Sequence, residues 1–327
     1  MTRGTRSATR PEEREAADGA GSNAPTSATP GARPGAGPYD ARRMKASTAT
    51  VRPDLDLAVD TWEPSDVTGV PFLLVHGLAS NARLWDGVAT RLVECGHTVS
   101  AVDLRGHGRS GKPDGPYDVP TVADDLERLI SRLALDRPVV AGQSWGGNVV
   151  LELAARHPSA VRGVVCVDGG WLEPARAFSD WDECLRVLAP PRLVGRRFAD
   201  VEAHVRAAHP DWPEPGIRGT LANFEVRPDG TIAPWLTYER HVAVLRGLWE
   251  HRPSELYERI RVPVLLLPVD GDRRQPPDRK RSDVEAAAQR IPVSRVHWFS
   301  GDHDIHAQRP LEVADVLHSA TVDGFFV

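Results

Sequence analysis

From Met44 onward the hydrophobic pattern switches repeatedly between strand and helix periods. Residues 56–62 set Leu57, Val59 and Trp62 between polar or small residues, as a half-exposed antiparallel strand does. After a turn rich in Pro, Ser and Gly, the run Pro71-Phe-Leu-Leu-Val75 is continuously apolar, the pattern of a strand covered on both faces. Helical spacing follows over 83–94 (Leu84, Val88, Leu92), then a strand over 97–102, a helix over 120–133, a strand over 138–143, a helix over 145–156 and a strand over 162–167. The alternation resumes late, with a strand over 262–268, a helix over 282–290, a strand over 293–298 and a closing helix over 309–318. Repeated strand–helix units of this length predict an α/β fold, a doubly wound and mostly parallel sheet with right-handed crossovers. No internal repeat interrupts them.

Between the strands at 162–167 and 262–268 the chain is far longer than a single crossover helix requires. This stretch carries Trp171, Trp181, Trp212, Trp235 and Trp249 and suggests helices over 180–188, 198–208 and 236–250, with a Pro-rich turn at 210–215. An insertion at the carboxyl edge of a parallel sheet sits over the ligand site of such folds, so residues 171–260 are expected to form a helical cap. Most of its aromatic residues are expected to pack the cap's own small core. Residues 44–170 and 261–327 make up the expected core.

Residues 1–43 contain no Val, Ile, Leu, Phe or Trp but five prolines and six glycines. Such a segment cannot offset its chain entropy by burial, so a disordered N-terminal tail is expected. It has no apolar stretch of the secretory kind, and Arg42-Arg43 is not followed by a hydrophobic run. Met44, the second of two methionines, stands where patterning begins and is a plausible natural start of translation.

Composition narrows the partners. The chain has 327 residues, 41% of them hydrophobic, and a net charge of −5 with histidines neutral. A mildly acidic balance argues against nucleic acid as a partner. No run approaches the roughly 18 apolar residues of a membrane span. Cys95, Cys166 and Cys184 are odd in number and widely spaced, which fits buried free thiols in a reducing, cytoplasmic setting and neither a disulfide framework nor a zinc pattern. Only three of the 40 basic residues are lysine: Lys45, Lys112 and Lys280.

Four marks carry chemistry. Gly142-Gln143-Ser144-Trp145-Gly146-Gly147 follows the strand at 138–143 and opens a helix, the context that a nucleophile elbow requires. The helix starting at Trp145 aims unpaired N–H groups at the spot where negative charge develops. His76-Gly77-Leu78 ends the strand at 71–75, and the N–H of Leu78 with that of Trp145 would form a two-donor oxyanion hole. His76 itself reads as a loop-holding residue more readily than as a base. Gly301-Asp302-His303-Asp304-Ile305-His306 follows the last strand and supplies the base that a serine nucleophile needs, His303. A metal site built on His303, His306 and the flanking aspartates is disfavoured, since no H-E-x-x-H helix is present and the elbow already demands a base. The acid that orients the imidazole must follow another late strand, and Asp168, Asp270 and Asp272 all satisfy the chain order Ser, Asp, His.

These marks resemble the α/β-hydrolase superfamily, in its branch with a helical cap. The likeness covers nearly all of residues 50–320. It rests on Leu73-Leu-Val-His76-Gly77, the turn Asp103-Leu-Arg105-Gly106-His-Gly108-Arg-Ser110, the elbow, and His303 followed by Pro310 and Glu312. Counting from Pro263, as that family's late-strand segment is counted, places the acid at Asp272, ahead of Asp270 and then Asp168. Pro268-Val269 departs from the family pattern here, and Gly301-Asp302 replaces the commoner Gly-Gly or Ala-Gly. Asp103, Arg105 and His107 are expected to tie loops beneath the site.

Trp145 after the nucleophile resembles haloalkane dehalogenases and epoxide hydrolases, which carry aspartate at the Ser144 position. A serine cannot follow their route, because an alkyl ether offers water no carbonyl to attack, so the covalent intermediate must be acyl. The expected activity is hydrolysis of a carboxylic ester or related small acyl compound by Ser144, His303 and Asp272, with no metal and no organic cofactor. Alternatives on the same residues are a cofactor-free C–C bond hydrolase, a haloperoxidase-like enzyme and a ligand-binding receptor with negligible turnover.

Overall fold

The computed structural model describes residues 44–271 and 277–326. The tail at 1–43, and Asp272 among the site candidates, lie outside the described residues. The central sheet has eight strands in the order β1-β2-β4-β3-β5-β6-β9-β11. These are β1 (Met44–Arg52), β2 (Leu55–Trp62), β3 (Phe72–Val75), β4 (Val99–Val102), β5 (Val139–Gln143), β6 (Gly163–Val167), β9 (Val264–Leu267) and β11 (Ser294–Val296). β2 runs antiparallel to both β1 and β4, and every pairing from β4 onward is parallel. The expected doubly wound α/β sheet is therefore present.

Alternation along the buried strands assigns side chains to two cores. Leu73, Val75, Val140, Val164, Cys166 and Leu266 face one layer; Phe72, Leu74, Ala141, Val165, Val167 and Leu267 face the other. The first layer is closed by α2 (Val119–Arg132), α3 (Trp145–Arg156) and α9 (Pro277–Arg290), through Leu126, Leu129, Val149 and Val284. The second is closed by α1 (Asp86–Glu94) and the last helix, α11 (Pro310–Val322), through Val88, Leu92, Val313 and Leu317. Each such side chain contributes roughly 1.5–3 kcal/mol when fully buried. That is what holds the strand ends in register beneath the site.

Between β6 and β9 the chain leaves the sheet. It forms α4 (Pro174–Ala177), α5 (Trp181–Leu188), α6 (Phe198–Ala208), α7 (Glu214–Leu221), a hairpin of β7 (Phe224–Val226) and β8 (Ile232–Pro234), and α8 (Tyr238–Glu250). The helices at 181–188, 198–208 and 238–250 match the periodicity. The hairpin and α7 do not: Pro213 and Pro215, read as a turn, instead precede and open a helix, where proline's missing N–H costs nothing. β1 also escaped the pattern, because it is an edge strand whose Ala, Ser and Thr side chains are mostly exposed. The short strands β10 (Val269–Asp270) and β12 (Phe299–Ser300) pair in parallel beyond the main sheet, and α10 (Ile305–Gln308) links β12 to α11.

The α7 end of the insertion is anchored on the core. Gly219 lies so close to the loop before α1 that an added Cβ would sit 2.7 Å from Leu84 Cα. Beside it, Asn81 Nδ2 donates to Gly219 O (2.8 Å) and Asn223 Oδ1 (2.6 Å). Replacing Gly219 by Ala must push α7 away from Leu84. The expected loss is about 1–3 kcal/mol of unfolding free energy, measured by urea denaturation, with an unchanged denaturant slope.

Candidate active site

β5 delivers Ser144 to a sharp corner. The residue has φ 53° and ψ −121°, and α3 begins at the next position. A side chain-bearing residue in this left-handed region costs on the order of 1–3 kcal/mol and needs surroundings that over-determine it. Those surroundings are glycines. Gly146 packs against His76 O and Gly169 against Ser144 O, so closely that a Cβ at either would overlap backbone. Ser144 N–H donates to Val167 O and Gly147 N–H to Ser144 O, both at 2.9 Å. Ser144 remains half-exposed. Trp145 N–H belongs to the first turn of α3, whose donors have no partner within the helix.

His303 lies on the loop after β12, and its Nδ1–H donates to Asp168 Oδ2 at 2.7 Å. That bond fixes the tautomer and makes Nε2 the basic nitrogen. Gln143, next to the serine, donates from Nε2 to His303 O at 3.2 Å and ties the histidine loop to the elbow. Asp168 follows β6 with φ 41° and is 1% exposed. Its Oδ1 also accepts from Val269 N–H (3.1 Å), and Lys280 Nζ reaches both carboxylate oxygens at 2.9 Å. Burial pushes the Asp168 carboxyl up, but the hydrogen bonds and charges of His303 and Lys280 outweigh it and hold the group below the usual carboxylate range. Among the three acids singled out by sequence, Asp270 is turned to Arg281 NH2 (2.6 Å), and Asp272 lies outside the described residues. Among the described residues, the acid bonded to His303 is Asp168, the candidate that family counting placed last. Lys280 and Gln143 carry no motif and were not foreseen. The Gly169-Gly170 pair directly after Asp168, which lets the chain turn sharply at the end of β6, is the local sequence mark that could have raised its rank.

The loop after β3 is pinned on both sides of Leu78. His76 Nδ1–H donates to Gly77 O (2.7 Å), while its Nε2 accepts from Leu104 N–H (3.0 Å). His107 Nδ1–H donates to Arg105 O (2.9 Å), while its Nε2 accepts from Ala79 N–H (3.3 Å). Burial lowers the basicity of both rings, His107 furthest, so both stay neutral and keep these roles. The Trp145 indole stacks on His107, with ring centroids 5.5 Å apart. Asp103 takes Ala82 N–H (2.8 Å) and Arg109 N–H (3.0 Å), and Arg105 pairs with buried Asp125. These three residues of the Asp103–Ser110 turn brace loops. His306 packs its ring on Trp85, with centroids 4.2 Å apart.

The insertion reaches the histidine loop directly. Trp212 Nε1–H donates to Asp302 Oδ2 at 2.8 Å, which gives a reason for an aspartate where Gly-Gly or Ala-Gly is commoner. A cavity of about 670 Å3 opens between the insertion and the core, lined among others by Ala79, Ser80, Phe224, Trp235, Leu236 and Tyr238. Ala79 and Ser80 continue the loop that carries Leu78. No helix among the described residues is long and apolar enough to cross a membrane.

A strained serine between a parallel strand and a helix, with a carboxylate-bound histidine beyond the last strand, defines a class of α/β hydrolytic scaffold. Comparison with known proteins places the chain within it. The sequence model of the alpha/beta hydrolase fold matches residues 70–207. The 2-(acetamidomethylene)succinate hydrolase of Mesorhizobium japonicum is 31% identical over 203 residues, 61% of this chain and 70% of that protein. Protein ABHD8 of Bos taurus is 29% identical over 277 residues, and the match spans 80% of this chain and 60% of that longer protein. The crystal structure of E-2-(acetamidomethylene)succinate hydrolase superposes with a TM-score of 0.70 at 23% identity, covering 86% of this chain and all of that one. The chain belongs to the α/β-hydrolase superfamily.

The depressed Asp168 has a consequence for stability. A carboxylate whose folded value lies below its unfolded value contributes stability above the unfolded value and loses it as pH falls through the folded one. Asp168→Asn is therefore expected to unfold at lower denaturant than the wild type at pH 7. The gap should narrow as pH drops below the ordinary carboxylate range. Chemical denaturation at a series of pH values measures it.

Proposed function

We propose that this chain is a serine hydrolase that cleaves small carboxylic esters or related acyl compounds through an acyl-enzyme on Ser144. The observation that carries the reading is the His303 Nδ1–Asp168 bond on a loop that Gln143 ties to the strained, half-exposed corner of Ser144. Two groups in hydrogen-bond series next to a nucleophile are what general-base activation requires. His303 takes the Ser144 proton as Oγ attacks the carbonyl carbon, and Asp168 stabilises the imidazolium without itself becoming protonated. The N–H groups of Leu78 and Trp145 receive the oxyanion. His303 then protonates the leaving alcohol, and water activated by the same nitrogen releases the acid and restores the serine.

Residues 171–260 serve as the cap, and the aromatic cavity beneath them takes the substrate's apolar portion. The partner is a small molecule, and the residues assembled here carry the reaction without a metal or cofactor. Asp168 replaces Asp272 as the acid in this reading, because it holds the His303 Nδ1–H while buried among donors.

A fluorophosphonate probe tests the nucleophile. Labelling of the wild type should be lost in Ser144→Ala, and equal labelling of the two would overturn the site. Paired acid variants test the acid. Asp168→Asn should lower kcat for a p-nitrophenyl ester by about 10⁴-fold, while Asp272→Asn stays within several-fold of wild type. The reverse pattern would return the role to Asp272. A substrate panel should include thioesters, lactones and 2-(acetamidomethylene)succinate, the compound for which the Mesorhizobium japonicum relative is named.

A further inference from the structure

Lys280 stands out before its contacts are considered. The chain draws nearly all its positive charge from arginine, and only three of its 40 basic residues are lysine. Lys280 lies on α9, a helix whose residues are otherwise largely charged and exposed, yet it is only 5% exposed. Its ammonium bonds both oxygens of Asp168 at 2.9 Å and Val269 O at 3.1 Å. A buried ammonium is costly unless paired, and this one is paired with the same carboxylate that holds His303.

We propose that Lys280 is a positioning residue of the hydrolytic site: clamped on both oxygens of Asp168, it fixes the carboxylate's orientation toward His303 and offsets part of its charge. This rests on the reading of Ser144, His303 and Asp168 as the reacting set. The two effects are separable. Geometry follows because Oδ2, which accepts from His303 Nδ1, is also held by Lys280, while Oδ1 is held by Lys280 and Val269 N–H, so the carboxylate cannot rotate without losing contacts. Electrostatics follows because an isolated carboxylate favours the imidazolium and delays the appearance of the free base as pH rises. A cation on the far side of that carboxylate opposes this.

Other charged groups near the pair, among the described residues, are turned to partners of their own. Arg281, beside Lys280 on α9, is turned to Asp270. Asp302, beside His303, takes Trp212 Nε1–H, with His209 Nδ1 3.7 Å away. Asp304 lies on the other side of His303 and acts on His306. His306 and His76, buried near the histidine loop, are held neutral, His306 by burial that lowers it to about 4. Lys280 is the buried cation bonded to Asp168. A compact ammonium suits the Asp168 oxygens and Val269 O crowded at one point better than a planar guanidinium does, which accounts for lysine in a chain that otherwise favours arginine.

The test is the acid limb of kcat/KM against pH with a p-nitrophenyl ester, alongside fluorophosphonate labelling. In the wild type the limb is expected no higher than about 6.5, the ordinary imidazole value, because Lys280 offsets the aspartate. A limb well above that overturns the proposal even if no variant folds. In Lys280→Met and Lys280→Gln the limb should move up by about one pH unit. In Lys280→Arg, which keeps the charge and loses the fit, the limb should stay while kcat falls and KM changes little. Limbs that coincide with wild type in folded Met and Gln variants, or an Arg variant that shifts as they do, would sink it. Ser144→Ala is the control for the underlying reading: if it still labels, the reacting set is wrong, whereas its failure to label with unmoved limbs refutes only the role of Lys280.

Discussion

A single buried carboxylate joins the elements that make this site. Asp168 ends β6, receives His303 from the loop beyond β12, Lys280 from α9 and the amide of Val269 from β10. Taking a carboxylate out of water costs several kcal/mol unless its lone pairs are met by donors and its charge by a counter-charge. Here both conditions hold. Because those donors come from separate stretches of chain, the carboxylate is satisfied only when β6, β10, α9 and the histidine loop are all in place. Formation of the native core and assembly of the imidazole's orienting contact are thus one event.

Backbone strain is concentrated at the same edge. Ser144, Asp168 and Ala79 all have positive φ, at 53°, 41° and 59°, and each follows a parallel strand or lies in the loop beyond one. The three strands β3, β5 and β6 are neighbours. Adjacent parallel strands end on the same side, so each strained corner lies beside the next. A corner costing on the order of 1–3 kcal/mol survives because the strands beneath it are buried on both faces. In β3, β5, β6 and β9 the aliphatic cores on the two sides leave no register in which the corners could relax without exposing a whole face.

The sequence made the sheet, the elbow and the histidine legible for one reason. Each is a local pattern: an apolar run, a glycine-flanked serine, a histidine just past the final strand. The acid was not local. Asp168, Asp270 and Asp272 all fit the chain order, and only the packing of β6 against β9 and of α9 over both decides which carboxylate meets His303 Nδ1. Counting from Pro263 favoured Asp272, which lies outside the described residues; among those described, Asp168 is the acid bonded to His303, and Val269 pairs in β10 and donates its amide to Asp168. Lys280 was invisible because a lone lysine in a charged helix reads as solvated. β1 and the β7–β8 hairpin were missed because neither presents a continuous apolar face.

The insertion ties substrate space to chemistry unevenly. Its α7 end is fixed to the core at two points that matter: Asn81, on the loop that continues from Leu78, and Asp302, which neighbours His303. Any displacement of α7 must therefore disturb either the loop that carries Leu78 or the loop that carries His303. The segment 190–194 and the hairpin line the cavity with Pro190, Leu193, Phe224 and Trp235, and the foot of the hairpin at Asn223 also accepts from Asn81. Substitutions of those four side chains reshape the cavity. In the proposed hydrolase, specificity is therefore set more by the hairpin side chains, and rate more by the contacts of the α7 end with the loops of Leu78 and His303.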